Sequence, residues 1–131
     1  MKDLIKPAVF DSHGVFKYIQ IKLTPVSKEL VGEDAHEVVI VRGWQDCGYH
    51  ADILQRFRET EFAEDESLEE LFTLSCPGGG RVDIDSDQKK FQIYGYSQGF
   101  GRCDHALSQA ILEGPDSPFA DHEVTWSNEG Y

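Results

Sequence analysis

A chain of 131 residues, 40% hydrophobic and 11% aromatic, has room for one compact domain with a real core and hardly for two. Its formal net charge of −12 excludes nonspecific nucleic-acid binding, which needs basic surface for phosphates. No run approaches the ~18 consecutive apolar residues of a membrane helix, and no signal-peptide-like apolar segment is apparent near the start.

In chain order, residues 1–13 are mixed in character and read as a loosely held lead-in, with the domain proper over 14–131. "GVFKYIQIKLT" (14–24) is rich in aromatic and β-branched residues and predicts a strand. A polar connection over 25–36 leads to "EVVIVRGW" (37–44), a continuous apolar run that predicts a strand buried on both faces. A helix is expected over about 49–63, with His50, Ile53, Leu54 and Phe57 at the i, i+3, i+4 and i+7 spacing of one face. "LFTLSCPGGG" (71–80) reads as a strand entering a glycine turn, and "RVDID" (81–85) and "KKFQIYGYS" (89–97) as hairpin partners. A loop, "QGFGR", precedes a second helix at 103–114, with Cys103, Leu107, Ala110 and Ile111 on its expected apolar face. "HEVTWS" (122–127) reads as a last strand. The predicted class is α/β: one domain with a mixed sheet of about six strands flanked by two helices.

Cys47, Cys76 and Cys103 are odd in number and lack a disulfide-framework spacing, so a reducing, cytoplasmic setting is expected. The acidic surplus is concentrated in "ETEFAEDESLEE" (59–70), with seven acids, and in "DIDSD" (83–87), with three. Such runs are solvated helix ends and loops. Cations in apolar or glycine-rich settings therefore stand out. Lys17 shares the strand parity of Val15, Ile19, Ile21 and Leu23, where an ammonium must reach the rim of the sheet or meet an anion. Arg42 ends an apolar run, and Arg81 directly follows the glycines at 78–80. Three cations at strand ends beside tight turns suggest an anion site, although a lysine that merely snorkels is as good a reading of Lys17 alone.

"YSQGFG" (96–101) supplies small residues, Ser97, Gly99 and Gly101, where backbone N–H groups could approach an anion. It lacks the Gly-Lys-Ser/Thr of a Walker motif. His50 sits in the first turn of its helix, where unpaired N–H groups and the helix dipole favour a phosphate. Positive surroundings there would keep the imidazole neutral, able to activate water or to attack phosphorus itself. Asp52, in the same turn, must point away. Metal chemistry competes: Cys47, His50, Cys103 and His105 are four soft ligands, but the second pair has the wrong spacing for a usual zinc motif. "DIDSD" lacks the glycine and the downstream glutamate of an EF-hand loop. Neither a G-x-S-x-G elbow nor a cysteine-phosphatase loop is present, so histidine is the candidate catalyst.

The stretches "GVFKY" (14–18), "VRG" (41–43), "YHADI" (49–53), "GGGR" (78–81), "YGYS" (94–97), "HA" (105–106) and the terminal "EVTW" with its following Asn, Gly and Tyr (123–131) occur together and in order. In this the chain resembles the small phosphohistidine phosphatases, a group that includes the janus proteins of insects. The resemblance implies a single α/β domain and metal-independent, cofactor-free removal of phosphate from phosphohistidine in proteins, with some phospholysine also accepted. It implies that His50 is the essential histidine and that Lys17 helps to hold phosphate. It further implies that Arg42 and Arg81 support substrate or site geometry. N–H groups around His50, Ala51, Ser97 and Gly99 would close the phosphate pocket. The expected partners are histidine-phosphorylated proteins and phosphate, and the expected form is a monomer, with no nucleic acid or membrane involved. A non-catalytic phosphoprotein-binding module using the same pocket is the alternative.

Overall fold

The computed structural model describes residues 6–26, 37–62, 72–97 and 99–127. Among them, six strands form one mixed sheet: β1 (Ala8–Phe10), β2 (Gly14–Pro25), β3 (Val38–Gly43), β4 (Phe72–Asp85), β5 (Lys90–Tyr94) and β6 (Glu123–Trp126). Their spatial order is β1-β3-β2-β4-β5-β6. The inner pairings are antiparallel, and the two edge strands run parallel to their neighbours. Two α-helices, α1 (His50–Phe57) and α2 (His105–Glu113), flank this sheet. The expected class, strand number and helix number are all observed.

The helices cover opposite faces. On one, Ile53 and Phe57 of α1 pack with Ile19, Ile21, Leu23 and Ile40. On the other, Leu112 of α2 joins Phe16, Tyr18, Val41, Val82, Ile84, Phe91 and Ile93. β2 and β3 are interior strands and contribute to both cores, which explains their near-continuous apolar sequences. Phe57 is fully buried, and its truncation to alanine costs roughly 3–5 kcal/mol by core-deletion precedent. After Phe57 the chain widens into a π-helical turn, Arg58–Phe62, so the helical segment is expected correctly to residue 62 but is α-helical only at first. Most of the acidic run (63–70), the connection at 27–36 and the terminal Asn-to-Tyr motif lie outside the described residues.

Three expectations need correction. The lead-in is part of the fold, because Ala8–Phe10 pairs with β3 and Ala8 is buried. The domain therefore begins before residue 14. The glycines at 78–80 do not turn: they face Gln20, Ile19 and Tyr18 inside one long strand, of which 81–85 is the continuation. Between the pairs Gln20/Gly78 and Lys22/Ser75, two residue steps on β2 oppose three on β4, a bulge. That bulge brackets Cys76 and Pro77, and accommodates a proline with no N–H to donate in a central strand. Lastly, α2 does not bury its apolar stripe. Its buried face is His105, Ser108 and Leu112, while Leu107 is exposed and Ile111 only half-buried. The polar residues turn inward to satisfy one another: Tyr18 Oη lies 2.6 Å from His105 Nδ1 and 3.0 Å from Ser108 Oγ, and Gln20 Nε2 donates to Ser108 Oγ at 2.8 Å. A fully paired buried polar network outcompetes the apolar periodicity here.

Candidate active site

α1 starts against the sheet through a short set of contacts that fix the orientation of His50. The Asp52 carboxylate accepts the Tyr49 N–H at 3.1 Å, so this acid points back along the helix start and away from the pocket. The N–H groups of His50 and Ala51, at the first two helical positions, have no carbonyl within the helix to bond. The His50 ring is 8% exposed, and its Nε2 lies 2.9 Å from the Gly80 carbonyl oxygen. A carbonyl only accepts, so Nε2 carries the hydrogen and Nδ1 of the neutral ring keeps its lone pair. Burial is the main cause that lowers the His50 pKa; the Gly80 carbonyl opposes it, and Lys17 and Arg81 lower it further. The neutral ring expected from sequence thus owes more to burial than to charge.

The approach of this ring requires glycine beneath it. A Cβ on Gly79 would stand 3.0 Å from His50 Cδ2, tighter than side chains pack. Lys17 enters from β2, next to Arg81 across the β2–β4 ladder. Its Nζ donates to the Gly48 carbonyl at 2.8 Å and lies 5.3 Å from the Tyr49 ring centroid. The remaining ammonium hydrogens serve any anion that enters. Val15, one step further along the same face, is 54% exposed, which places Lys17 at the sheet rim rather than in the core.

The opposite wall is the loop that closes between Ser97 and Gly101. Ser97 N–H donates to Gly101 O at 3.1 Å and Gly101 N–H returns a bond to Ser97 O at 2.7 Å. Ser97 Oγ accepts the Phe100 N–H at 3.1 Å, so this buried hydroxyl braces the loop. A Cβ built on Gly99 would meet nothing, so the loop is open on that side. Together Lys17, Tyr49, His50, Ala51, Ser97, Gly99 and Phe100 line a cleft of about 280 Å³.

Five of the seven residues singled out in the sequence, Lys17, His50, Ala51, Ser97 and Gly99, meet in this cleft. Arg81 does not line it but is near enough to bias His50. Arg42 lies elsewhere. It is fully buried, forked onto both Glu61 carboxylate oxygens at 2.8 Å, bonded to the Lys6 and Val41 carbonyls, and 5.3 Å from the Phe57 ring centroid. It ties the helical segment to β3 and does not line the cleft. Tyr49 and Phe100 were missed as site residues, although each lies inside a stretch that drew attention. Of the zinc candidates, His50 and His105 sit on opposite sides of β4, and among the described residues no three His, Cys, Asp or Glu side chains gather as a metal would need. Cys47, Cys76 and Cys103 are all free thiols. Among the described residues no helix is long and apolar enough to cross a membrane.

A profile of the Janus/Ocnus family (Ocnus) matches residues 3–123, nearly the whole chain. The chain belongs to that family. It is 40% identical over 119 residues to "Sex-regulated protein janus-A" of Drosophila simulans, covering 90% of this chain and 76% of the relative. The same values hold for janus-A of Drosophila melanogaster. It is 38% identical over 122 residues to "14 kDa phosphohistidine phosphatase" of Sus scrofa, covering 92% of this chain and 88% of that protein. The family match begins at residue 3, in keeping with the inclusion of β1 in the fold.

Proposed function

We propose that this family member is a protein-histidine phosphatase that hydrolyses the P–N bond of phosphohistidine without a metal or cofactor, with phospholysine as a secondary substrate. The observation that carries the reading is a neutral imidazole, Nδ1 uncommitted, in one cleft with a lysine ammonium. The name of the porcine relative points to the same substrate class.

In the proposed reaction the Lys17 ammonium and the N–H groups of His50 and Ala51 hold the phosphoryl oxygens. Nδ1 of His50 takes a proton from water as the water oxygen bonds to phosphorus. The P–N electron pair stays on the departing imidazole, which already carries a proton on its other nitrogen and so leaves as a neutral ring. A proton on the far ring nitrogen makes the imidazole a good leaving group, so positioning and charge stabilisation suffice. Direct attack by Nδ1, giving a phosphorylated His50, is the variant of this chemistry. Three free thiols accord with a reducing, cytoplasmic location, and the partners are histidine-phosphorylated proteins engaged by a monomer.

A site that only binds phosphoproteins would need the cations and amides but no basic nitrogen bare at neutral pH. Phosphate release from a phosphohistidine peptide in EDTA tests the proposal. Turnover by the wild type, and none by His50→Ala, is expected. Binding without turnover would establish the non-catalytic alternative, and activity restored only by Mg²⁺ or Zn²⁺ would overturn the metal-free mechanism.

A further inference from the structure

Two aromatic side chains at the cleft have no part in holding phosphate. Tyr49 is 71% exposed, the most exposed of the large apolar side chains described. Phe100 is half-buried at the facing loop. Neither belongs to the two cores. Both backbones are pinned: Tyr49 N–H by Asp52, and Phe100 N–H by Ser97 Oγ inside a loop closed by two further bonds. Aromatic rings carried on braced backbone yet left out of the core, flanking a polar pocket, suit a planar ligand. The Tyr49 ring already has a cation near it, the Lys17 ammonium, so its π surface is used as a cation acceptor.

Resting on the phosphatase reading, we infer that Tyr49 and Phe100 form the leaving-group subsite and select an aromatic imidazole over an aliphatic amine. The group bonded to phosphorus in phosphohistidine is a planar ring, cationic when protonated for departure. Ring faces at the cleft stabilise that cation and its flat shape together. A phospholysine nitrogen sits on a flexible alkyl chain and gains little from them. Phosphoramidate, whose leaving group is ammonia, has no ring to stack. The phosphate contacts are common to all three substrates, so any discrimination the enzyme adds to their intrinsic reactivities comes from groups that touch the departing nitrogen's substituent. Beside His50 itself, Tyr49 and Phe100 are the aromatic groups in the cleft's lining.

The test compares phosphoimidazole, phospholysine and phosphoramidate as substrates of the full chain. The wild type should prefer phosphoimidazole. Tyr49→Ala and Phe100→Ala should each lower kcat/KM for phosphoimidazole by about tenfold more than for phosphoramidate, the size of one aromatic contact. Tyr49→Phe, which keeps the ring, should restore the preference. A uniform fall across all three substrates would assign the two rings to structure and overturn the inference. An unchanged ratio in both variants would do the same. A wild type that hydrolyses none of the three substrates would instead defeat the phosphatase reading itself, so the two failures are distinct.

Discussion

His50 and His105 lean on adjacent residues of β4 from opposite sides. A Cβ on Gly79 would lie 3.0 Å from His50 Cδ2, and one on Gly80 would lie 2.9 Å from His105 Cε1. The same Gly80 offers its carbonyl to His50 Nε2. His105 is itself locked, with Nε2 donating to Gly95 O at 2.7 Å and Nδ1 receiving the Tyr18 hydroxyl. The strand that orients the candidate catalytic ring is thus backed by a second ring on its other side.

Gly80→Ala should disturb both histidines. Its methyl would also press on the Tyr94 carbonyl, which is ladder backbone and cannot yield without shifting β5. A loss of roughly 1–3 kcal/mol is expected from overpacking, together with a fall in turnover as the Gly80 carbonyl moves from His50. Urea melts and kcat at saturating substrate check both. Wild-type stability in this variant would mean that the glycines are not required by the rings.

The pH dependence follows from two buried imidazoles. Burial is the leading cause that lowers the pKa of His50 and of His105, against the raising effect of the carbonyls they bond. A histidine with a folded pKa below its unfolded value binds fewer protons when folded. Its stabilisation is intact above the unfolded value, about 6.5, and drains away as pH falls through that value toward the folded one. Stability should therefore decline on acidification from pH 6.5, and the acid limb of kcat/KM should lie below 6.5. Lys17→Met removes a cation that lowers the His50 pKa, so it should move that titration upward and leave His105 in place. Proton NMR of the two ring Cε1–H signals resolves them. A His50 midpoint above 6.5 in the wild type would contradict the neutral base.

Arg42 is expected to report on stability and not on phosphate. Its side chain is fully buried while that of Glu61 is 31% exposed. Removing one partner of a buried pair costs roughly 3–5 kcal/mol, and the partial exposure of Glu61 sets Glu61→Gln at the low end. Phosphate affinity should be unchanged in the folded fraction. An Arg42→Met, Glu61→Leu double variant should recover much of the loss, since no charge is left buried alone. Chemical denaturation of the three proteins checks the ordering, and a large loss of phosphate affinity in the double variant would return Arg42 to the binding site.

The strands of β2 and β3 and the start of α1 were legible because their apolar periodicity coincides with true burial: Ile19, Ile21, Leu23, Ile53 and Phe57 all lie in one core. The cleft was legible in part because phosphate chemistry needs cations and exposed amides, which leave a signature in Lys17, "YHAD" and "YSQGFG". Three features were not legible. Glycines at 78–80 look like a turn unless what crowds them is known: neighbouring backbone, and at Gly79 and Gly80 also the two imidazole rings. β1 is three residues long and is held by pairing with β3, a long-range contact without a local pattern. The buried face of α2 follows from Tyr18 Oη, which reaches His105 and Ser108 from 87 and 90 residues away in sequence.

For Lys17 the competing readings differ in what its ammonium does. It is held at the cleft by the Gly48 carbonyl, with donors to spare. Lys17→Ala should weaken both substrate binding and inhibition by inorganic phosphate by roughly 1.5–3 kcal/mol, the worth of a charge-assisted hydrogen bond. Lys17→Arg should recover only part, because a planar fork does not reproduce a compact ammonium. Isothermal titration with phosphate measures this directly. Unaltered phosphate affinity and kinetics in Lys17→Ala would reduce the residue to a snorkelling lysine.

His50 carries the largest predicted effect and the sharpest mechanistic choice. Its ring lies at the rim of one core, so His50→Ala should keep the fold while abolishing turnover. Because Nε2 is committed to Gly80, only Nδ1 can act on water or on phosphorus. The geometry serves either role, and the energetics favour water. Transfer of the phosphoryl group from one imidazole to another is nearly isoenergetic, and the P–N bond would still have to be hydrolysed afterwards. Water activation accomplishes the reaction in one step. Enzyme mixed with radiolabelled phosphohistidine peptide and quenched in alkali decides the matter, since phosphohistidine survives base. No label on the enzyme during turnover is expected. Label on His50 that forms rapidly and decays at the turnover rate would make Nδ1 the nucleophile instead of the base.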